Sequence, residues 1–234
     1  MDTPNSPPVH AENQGVAGVD LGVSALATLS TGEVVPGPKA HTALLTRLRR
    51  LSRGLSRKQL KSRNREKARR KLARLHARIS NIRADALHKL TTDLARRFPL
   101  IGIEDLNVKG MMRNHHLARS IADMSFYEFR RQLEYKAAMR GGRIAVADRW
   151  YPSSKLCSVC RSYTEKLTLG TRQWTCSSCG SKHNRDVNAA INLKNLAVSS
   201  TVSACGEEGA GSDLMTVVKP ASMKQEISAI ATYG

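Results

Sequence analysis

Four of the five cysteines fall in two identical spacings, Cys157-x2-Cys160 and Cys176-x2-Cys179, with fifteen residues between the pairs. A two-residue gap lets one tight turn aim both sulfurs at a single ion. Two such turns close a tetrahedral set of thiolates around zinc. A site so closed has no open position and holds a shape rather than performing chemistry. Gly180, directly after the second pair, suits the positive φ expected in such a turn. Two disulfides are the competing reading, but the chain shows no apolar secretory segment, and Cys205 would be left over. A thioredoxin-like redox pair is weaker still, because both knuckles lie in basic, strand-poor sequence. His183 lies close by and could be a ligand; with four cysteines at hand it is expected to hydrogen-bond or to face nucleic acid.

Charge constrains the partner. Lys plus Arg number 38 against 19 Asp plus Glu, a net +19 over 234 residues, and nucleic acid is the default polyanion for such a chain. No run of eighteen apolar residues occurs, so no membrane span is expected. Aromatic residues, at 4%, are too few for a stacking platform spread over the surface. The segment from Arg47 to Arg97 holds 19 basic residues and only three acidic ones, Glu66, Asp85 and Asp93. Leu44, Leu48, Leu51 and Leu55, then Leu72, Leu75, Ile79, Ile82, Ala86, Leu90 and Leu94, recur at helical spacing. An interruption at Ser62, Arg63 and Asn64 separates two helices, expected to be antiparallel over 44–97. Their outer face could be merely solvated, but solvated faces usually mix signs. Phosphate contact without base readout is therefore expected from Arg63, Arg65, Lys67, Arg69, Arg70, Lys71 and Arg74.

Around this hairpin the pattern is that of a mixed-sheet α/β domain. Residues 1–14 carry three prolines and are expected to be disordered. Val16–Asp20 and Ala25–Ser30 read as strands, with Thr31-Gly32 turning into Glu33–Val35. Leu100–Glu104 and Arg143–Ala147 read as two more. Phe126, Phe129, Leu133 and Ala137 mark the core face of a helix ended by Gly141-Gly142. Val187–Leu196 is a final helix, and the Ser-, Gly- and Thr-rich stretch beyond it reads as a flexible tail.

Three acids stand in apolar surroundings: Asp20 after Gly18-Val19, Glu104 after Ile101-Gly102-Ile103, and Asp186 before Val187. Each alone has a plain explanation as a strand end or a helix start. Two strand-end carboxylates and one helix-start carboxylate could, however, converge on one sheet edge. They would then repel one another unless Mg²⁺ or Mn²⁺ lay between them. Two such ions about 4 Å apart suit phosphodiester hydrolysis.

The stretches GVDLGVSALATLSTGE, KSRNREKARRKLARLHARI, IGIEDLNVKGM, PSSKLCSVC and RQWTCSSCGSKHNRDVNAAINLKNL resemble the OrfB/TnpB-type proteins of bacterial insertion sequences, relatives of type V CRISPR effector nucleases. The resemblance covers about residues 15–196, with its motifs in order. It implies a ribonuclease H-like (RuvC) fold over 15–156 and 180–197, interrupted by a zinc ribbon at 157–179, with a tail at 198–234. It implies that Asp20, Glu104 and Asp186 are catalytic and hold magnesium or manganese, and that Cys157, Cys160, Cys176 and Cys179 hold zinc. It further implies DNA as substrate, a guide RNA, a separate transposase protein of the same element as partner, and a cytoplasmic, nucleoid-associated setting. Asn184 departs from the family's usual His-Asp-Arg-Asp run. Family members also carry a long region before the first catalytic strand, where about fourteen residues stand here. Two other readings therefore stay open: an N-terminally truncated nucleic-acid-binding remnant or regulator that does not cut, and a zinc-ribbon ribosomal or transcription accessory protein.

Overall fold

The computed structural model describes residues 15–165, 167–168 and 170–204. The expected disordered start, Cys205 and the tail from 205 onward lie outside them. The chain opens with β1 (Val16–Leu21), β2 (Ala27–Leu29) and β3 (Val34–Val35), an antiparallel meander whose last turn uses Gly32 at φ 89°. Helices α1 (Ala40–Ser56) and α2 (Arg63–Arg97) follow, then β4 (Leu100–Glu104). Two short helices come next, α3 (Val108–Met111) and α4 (Ala118–Met124), neither anticipated from the sequence. Helix α5 (Phe126–Met139) and β5 (Arg143–Ala147) complete the sheet, in the order β3-β2-β1-β4-β5. β4 runs parallel to both β1 and β5. The sheet is mixed, as the pattern of elements implied.

The two faces of this sheet differ. Side chains alternate along a strand, so Ala17 and Val19 of β1 share a face with Ile101 and Ile103 of β4. All four are fully buried against Leu87, Leu90 and Leu94 of α2 and Phe126, Phe129 and Leu133 of α5. The opposite face carries Gly18 and Gly102, paired side by side. There α6 (Arg185–Ala204) lies on the sheet through Ala189, Ala190, Leu193 and Ala197. The helix is longer than the apolar pattern suggested: it continues through 198–204, where the sequence reads as tail. Ser199 and Ser200 return their hydroxyls to the Asn195 and Ala197 carbonyls, so these polar side chains are accommodated within the helix.

The basic hairpin forms, with shifted limits. The break lies at 57–62, and Arg63 and Asn64 belong to α2, capped by the Ser62 hydroxyl accepting from Arg65 N–H. Near the break, the Arg65 guanidinium bonds the Leu55 carbonyl; at the far end, Arg83 and the start of α1 meet the same carboxylate, so the helices are antiparallel. That carboxylate is Asp123 of α4. It accepts from the backbone N–H of His41 and Thr42, and from Arg83 at 2.6 Å. At 1% exposure Asp123 is buried, and α1 has no cap of its own. The inner face of α2 therefore runs Leu75, Ile79, Arg83, Leu87 rather than through Ile82, which is 36% exposed. A sequence scan for apolar residues misses Arg83 because its partner lies forty residues away.

Candidate functional site

Asp20 and Glu104 sit one residue beyond Val19 and Ile103, the last paired residues of adjacent parallel strands. Neighbouring strands are about 4.8 Å apart, so the two carboxylates arise from adjoining backbones. Each lies two residues after a glycine, Gly18 or Gly102, and so on the face that α6 covers. Those glycines let the helix backbone approach. A Cβ at Gly18 would collide with the Ala190 carbonyl and Lys194 N; one at Gly102 would collide with the Leu193 carbonyl. Ala190 is one helical turn after Asp186, so the docking that seats Ala190 on β1 carries Asp186 toward the strand end.

The electrostatics agree with that placement. Burial pushes the Asp20 carboxyl well above its ordinary value, and the charges of Glu104 and Asp186 push it further; Arg185 and Arg172 oppose them. Glu104 is also raised by burial, against a hydrogen bond donated by the Ser153 hydroxyl and the charge of Arg185. Asp186 receives Arg172 Nη1 at 3.2 Å on both carboxylate oxygens. The charges of Glu104 and Asp186 thus both reach Asp20. The three acids are not drawn into a tight cluster: among the described residues, the one set of three or more ligand atoms lying within 4.8 Å of one another is made of sulfurs. Ser153 and Arg172 were not legible as site residues, since each acts on an acid far from it in sequence. Asn184, the departure from the family run, accepts from Asp186 N–H and Val187 N–H through Oδ1, an N-terminal cap that asparagine fills as well as aspartate.

That set is Cys157, Cys160, Cys176 and Cys179. The two knuckles are built alike. Cys157 N–H bonds the Ser162 carbonyl and Arg161 N–H returns to Cys157; Cys176 N–H bonds the Ser181 carbonyl and Gly180 N–H returns to Cys176. Arg161 takes φ 64° and Gly180 φ 73°, so the first knuckle makes the same turn without glycine. Strands β6 (Gln173–Thr175) and β7 (Lys182–Asn184) pair antiparallel on either side of the second knuckle. His183 is a hydrogen-bonding residue, with Nε2 3.1 Å from the Cys157 sulfur and its ring against Trp174. Four mutually close sulfurs are the soft donor set that zinc selects. Buried Asn188 and Asn192 of α6 fasten the first knuckle, donating to the Leu156 carbonyl at 2.7 Å, while Ser158 N–H bonds Asn188 Oδ1. Asparagines four apart in an apolar helix were the available signal.

On the hairpin, Arg63, Lys67, Lys71 and Arg74 are exposed. Arg69 and Arg70 are exposed but share Glu66, and Arg65 closes the interhelical turn through the Leu55 and Lys58 carbonyls. The basic set divides into residues facing solvent and one that builds the hairpin.

Residues 1–115 match the family described as "OrfB_IS605: Probable transposase", and residues 126–193 match "Cas12f1-like, TNB domain". A Streptomyces pristinaespiralis protein named "Putative RNA-guided DNA endonuclease" is 50% identical over 190 residues, 81% of this chain and 46% of that protein. InsQ of Escherichia coli K12, with the same description, is 39% identical over 217 residues, 86% of this chain and 53% of its own. The chain thus spans about half the length of the curated relatives it matches. A solved chain from "Cryo-EM structure of the Cas12f1-sgRNA-target DNA complex" superposes with TM-score 0.50 at 17% identity, covering 83% of this chain and 51% of that one, which shows a shared fold. Among the described residues no helix is long and apolar enough to cross a membrane.

Proposed function

Because the chain belongs to the OrfB/TnpB family of insertion-sequence proteins, we propose that it carries the nuclease domain of an RNA-guided, metal-dependent DNA endonuclease, of ribonuclease H-like (RuvC) type. The observation that supports this best is the placement of Asp20 and Glu104 at the ends of adjacent parallel strands, with the Asp20 carboxyl raised by burial and further by the charges of Glu104 and Asp186. A fold that gathers three acids in a chain of net +19 meets an electrostatic cost that a bound cation offsets.

Hard carboxylate oxygens suit Mg²⁺ or Mn²⁺, and Asp20, Glu104 and Asp186 would hold them. When bound, such ions supply an activated water and stabilise the leaving oxygen. The chain's own groups have distinct tasks. Ser153 holds Glu104 through its hydroxyl. Arg172 pairs with Asp186. Asp20 must give up a proton it holds more tightly than an ordinary aspartate, so occupancy strengthens as pH rises. The four cysteines would hold zinc and keep the ribbon folded on α6. The exposed hairpin cations would grip phosphates of DNA, of a guide RNA, or of both. A separate transposase of the same element and a nucleoid-associated, cytoplasmic setting belong to the same reading.

The test is cleavage of labelled DNA with Mg²⁺ or Mn²⁺ and the element's RNA. Wild type should give 5′-phosphate and 3′-hydroxyl ends, and Asp20→Ala, Glu104→Ala and Asp186→Ala should each bind without cutting. The triple variant should be hardly worse than any single one, since the three act as a unit. Wild type that binds but never cuts would favour the binding-only reading.

A further inference from the structure

Only two tryptophans occur, and they are disposed oppositely. Trp174 is 8% exposed inside the ribbon; Trp150 is 73% exposed, in the loop that follows β5. Leaving an indole in water forfeits its large burial gain. Floppiness does not explain it, because the loop is pinned on both sides. Trp150 N–H donates to Asp148 Oδ1 at 2.8 Å, and Tyr151 N–H donates to the Asp148 carbonyl. Arg149 Nη2 reaches Asp105 at 3.1 Å, and three residues after Trp150 the Ser153 hydroxyl donates to Glu104. The two anchors, Glu104 and Asp105, are consecutive residues at the end of β4. Three residues of chain span at most about 11 Å, so the Cα that carries the exposed indole lies within that reach of the Cα of Ser153, which holds Glu104.

We propose that Trp150 is a base-stacking post that receives an unpaired nucleobase of the DNA strand entering the carboxylate site. This rests on the reading of Asp20, Glu104 and Asp186 as the place of cleavage. The charged neighbours Asp148 and Arg149 are themselves exposed, so the patch is one flat π-face rather than an apolar groove for a protein. Every base offers a π-face, so such a contact grips a strand without choosing its sequence. A single post beside the site also fits the scarcity of aromatics, which rules out a spread platform. By holding one base, Trp150 limits the sliding of the strand and positions the phosphate a few nucleotides away.

The natural reporter is the indole itself. In metal-free buffer a short oligothymidylate should saturably quench the exposed Trp150 emission and leave that of buried Trp174. An abasic oligonucleotide of equal length and charge should not. Trp150→Ala should weaken oligothymidylate binding about tenfold to a hundredfold and leave abasic binding unchanged, and Trp150→Phe should restore most of the loss. Equal quenching by both oligonucleotides, or wild-type affinity in Trp150→Ala, overturns the proposal. Asp186→Ala separates the two claims: quenching should persist in it. Cleavage by wild type without base-dependent quenching defeats the stacking post alone; quenching without any cleavage defeats the nuclease reading alone.

Discussion

Gly18 and Gly102 stand directly opposite each other on adjacent parallel strands, and the backbone of α6 lies on both. Each precedes a strand-end carboxylate by two residues, so the same pair that admits the helix also brings the start of α6, with Asp186, near enough to act on Asp20. Gly18→Ala and Gly102→Ala should each destabilise by about 3 kcal/mol or more, since a methyl group meets rigid backbone. Gly54→Ala in α1, where a Cβ meets open space, should stabilise by about 0.5–1 kcal/mol. Denaturant unfolding of the three variants checks the contrast.

Asp123 ties three elements at once. Burial alone would raise its carboxyl, but the N–H groups of His41 and Thr42 and the Arg83 guanidinium outweigh this and hold it below its usual value. A folded-state value below the unfolded one adds stability that is present above about pH 4 and lost as pH falls through the folded value. Asp123→Asn should cost about 3 kcal/mol at neutral pH by leaving Arg83 unpaired. The gap from wild type should close on acidification below pH 4. A pH series of unfolding curves for the two proteins reads this directly.

Asp20 behaves with the opposite sign. Its folded value lies above the unfolded one, so its stabilising contribution is full below about pH 4 and fades as pH rises through the folded value. Without metal, Asp20→Asn should therefore be more stable than wild type at neutral pH, by about 2–4 °C in Tm or more. Mg²⁺ should raise the wild-type Tm, more at pH 8 than at pH 6, and leave Asp20→Asn nearly unmoved. Thermal melts with and without Mg²⁺ decide it.

One zinc per chain is expected by elemental analysis. Removing it, or Cys176→Ser, should unfold the ribbon, because a closed thiolate site contributes folding free energy directly. Trp174 should then redden its emission while the sheet keeps its far-ultraviolet signal. A stable, unshifted protein after chelation would deny zinc a structural role.

The hairpin prediction separates surface charge from architecture. Replacing Arg63, Lys67, Lys71 and Arg74 with Ala should lower the slope of log K against log salt by about 0.9 for each phosphate that is no longer neutralised. Arg65→Ala should instead destabilise the hairpin, whose turn its guanidinium closes. Titrations at several salt concentrations, with a melt of each variant, distinguish the two effects.

Wherever the signal was periodic or spaced along the chain, residue order was enough. The knuckle turns, the strand ending in Glu104, the core face Phe126, Phe129, Leu133 and Ala137, and the charge density of α2 all follow from local chemistry, because neighbours in sequence make those structures. Asp20, Glu104 and Asp186 could be singled out in the same way, as acids in apolar surroundings. The action of Glu104 and Asp186 on Asp20 could not, because it depends on Gly18 pairing with Gly102 and on α6 settling there. Arg83 on the inner face of α2, Asp123 capping a helix eighty residues away, Ser153 on Glu104, Arg172 on Asp186 and the pinned display of Trp150 were likewise decided by tertiary structure. In each case a polar or exposed side chain takes its role from a partner distant in sequence, and no local pattern encodes a partner that only the packed fold supplies.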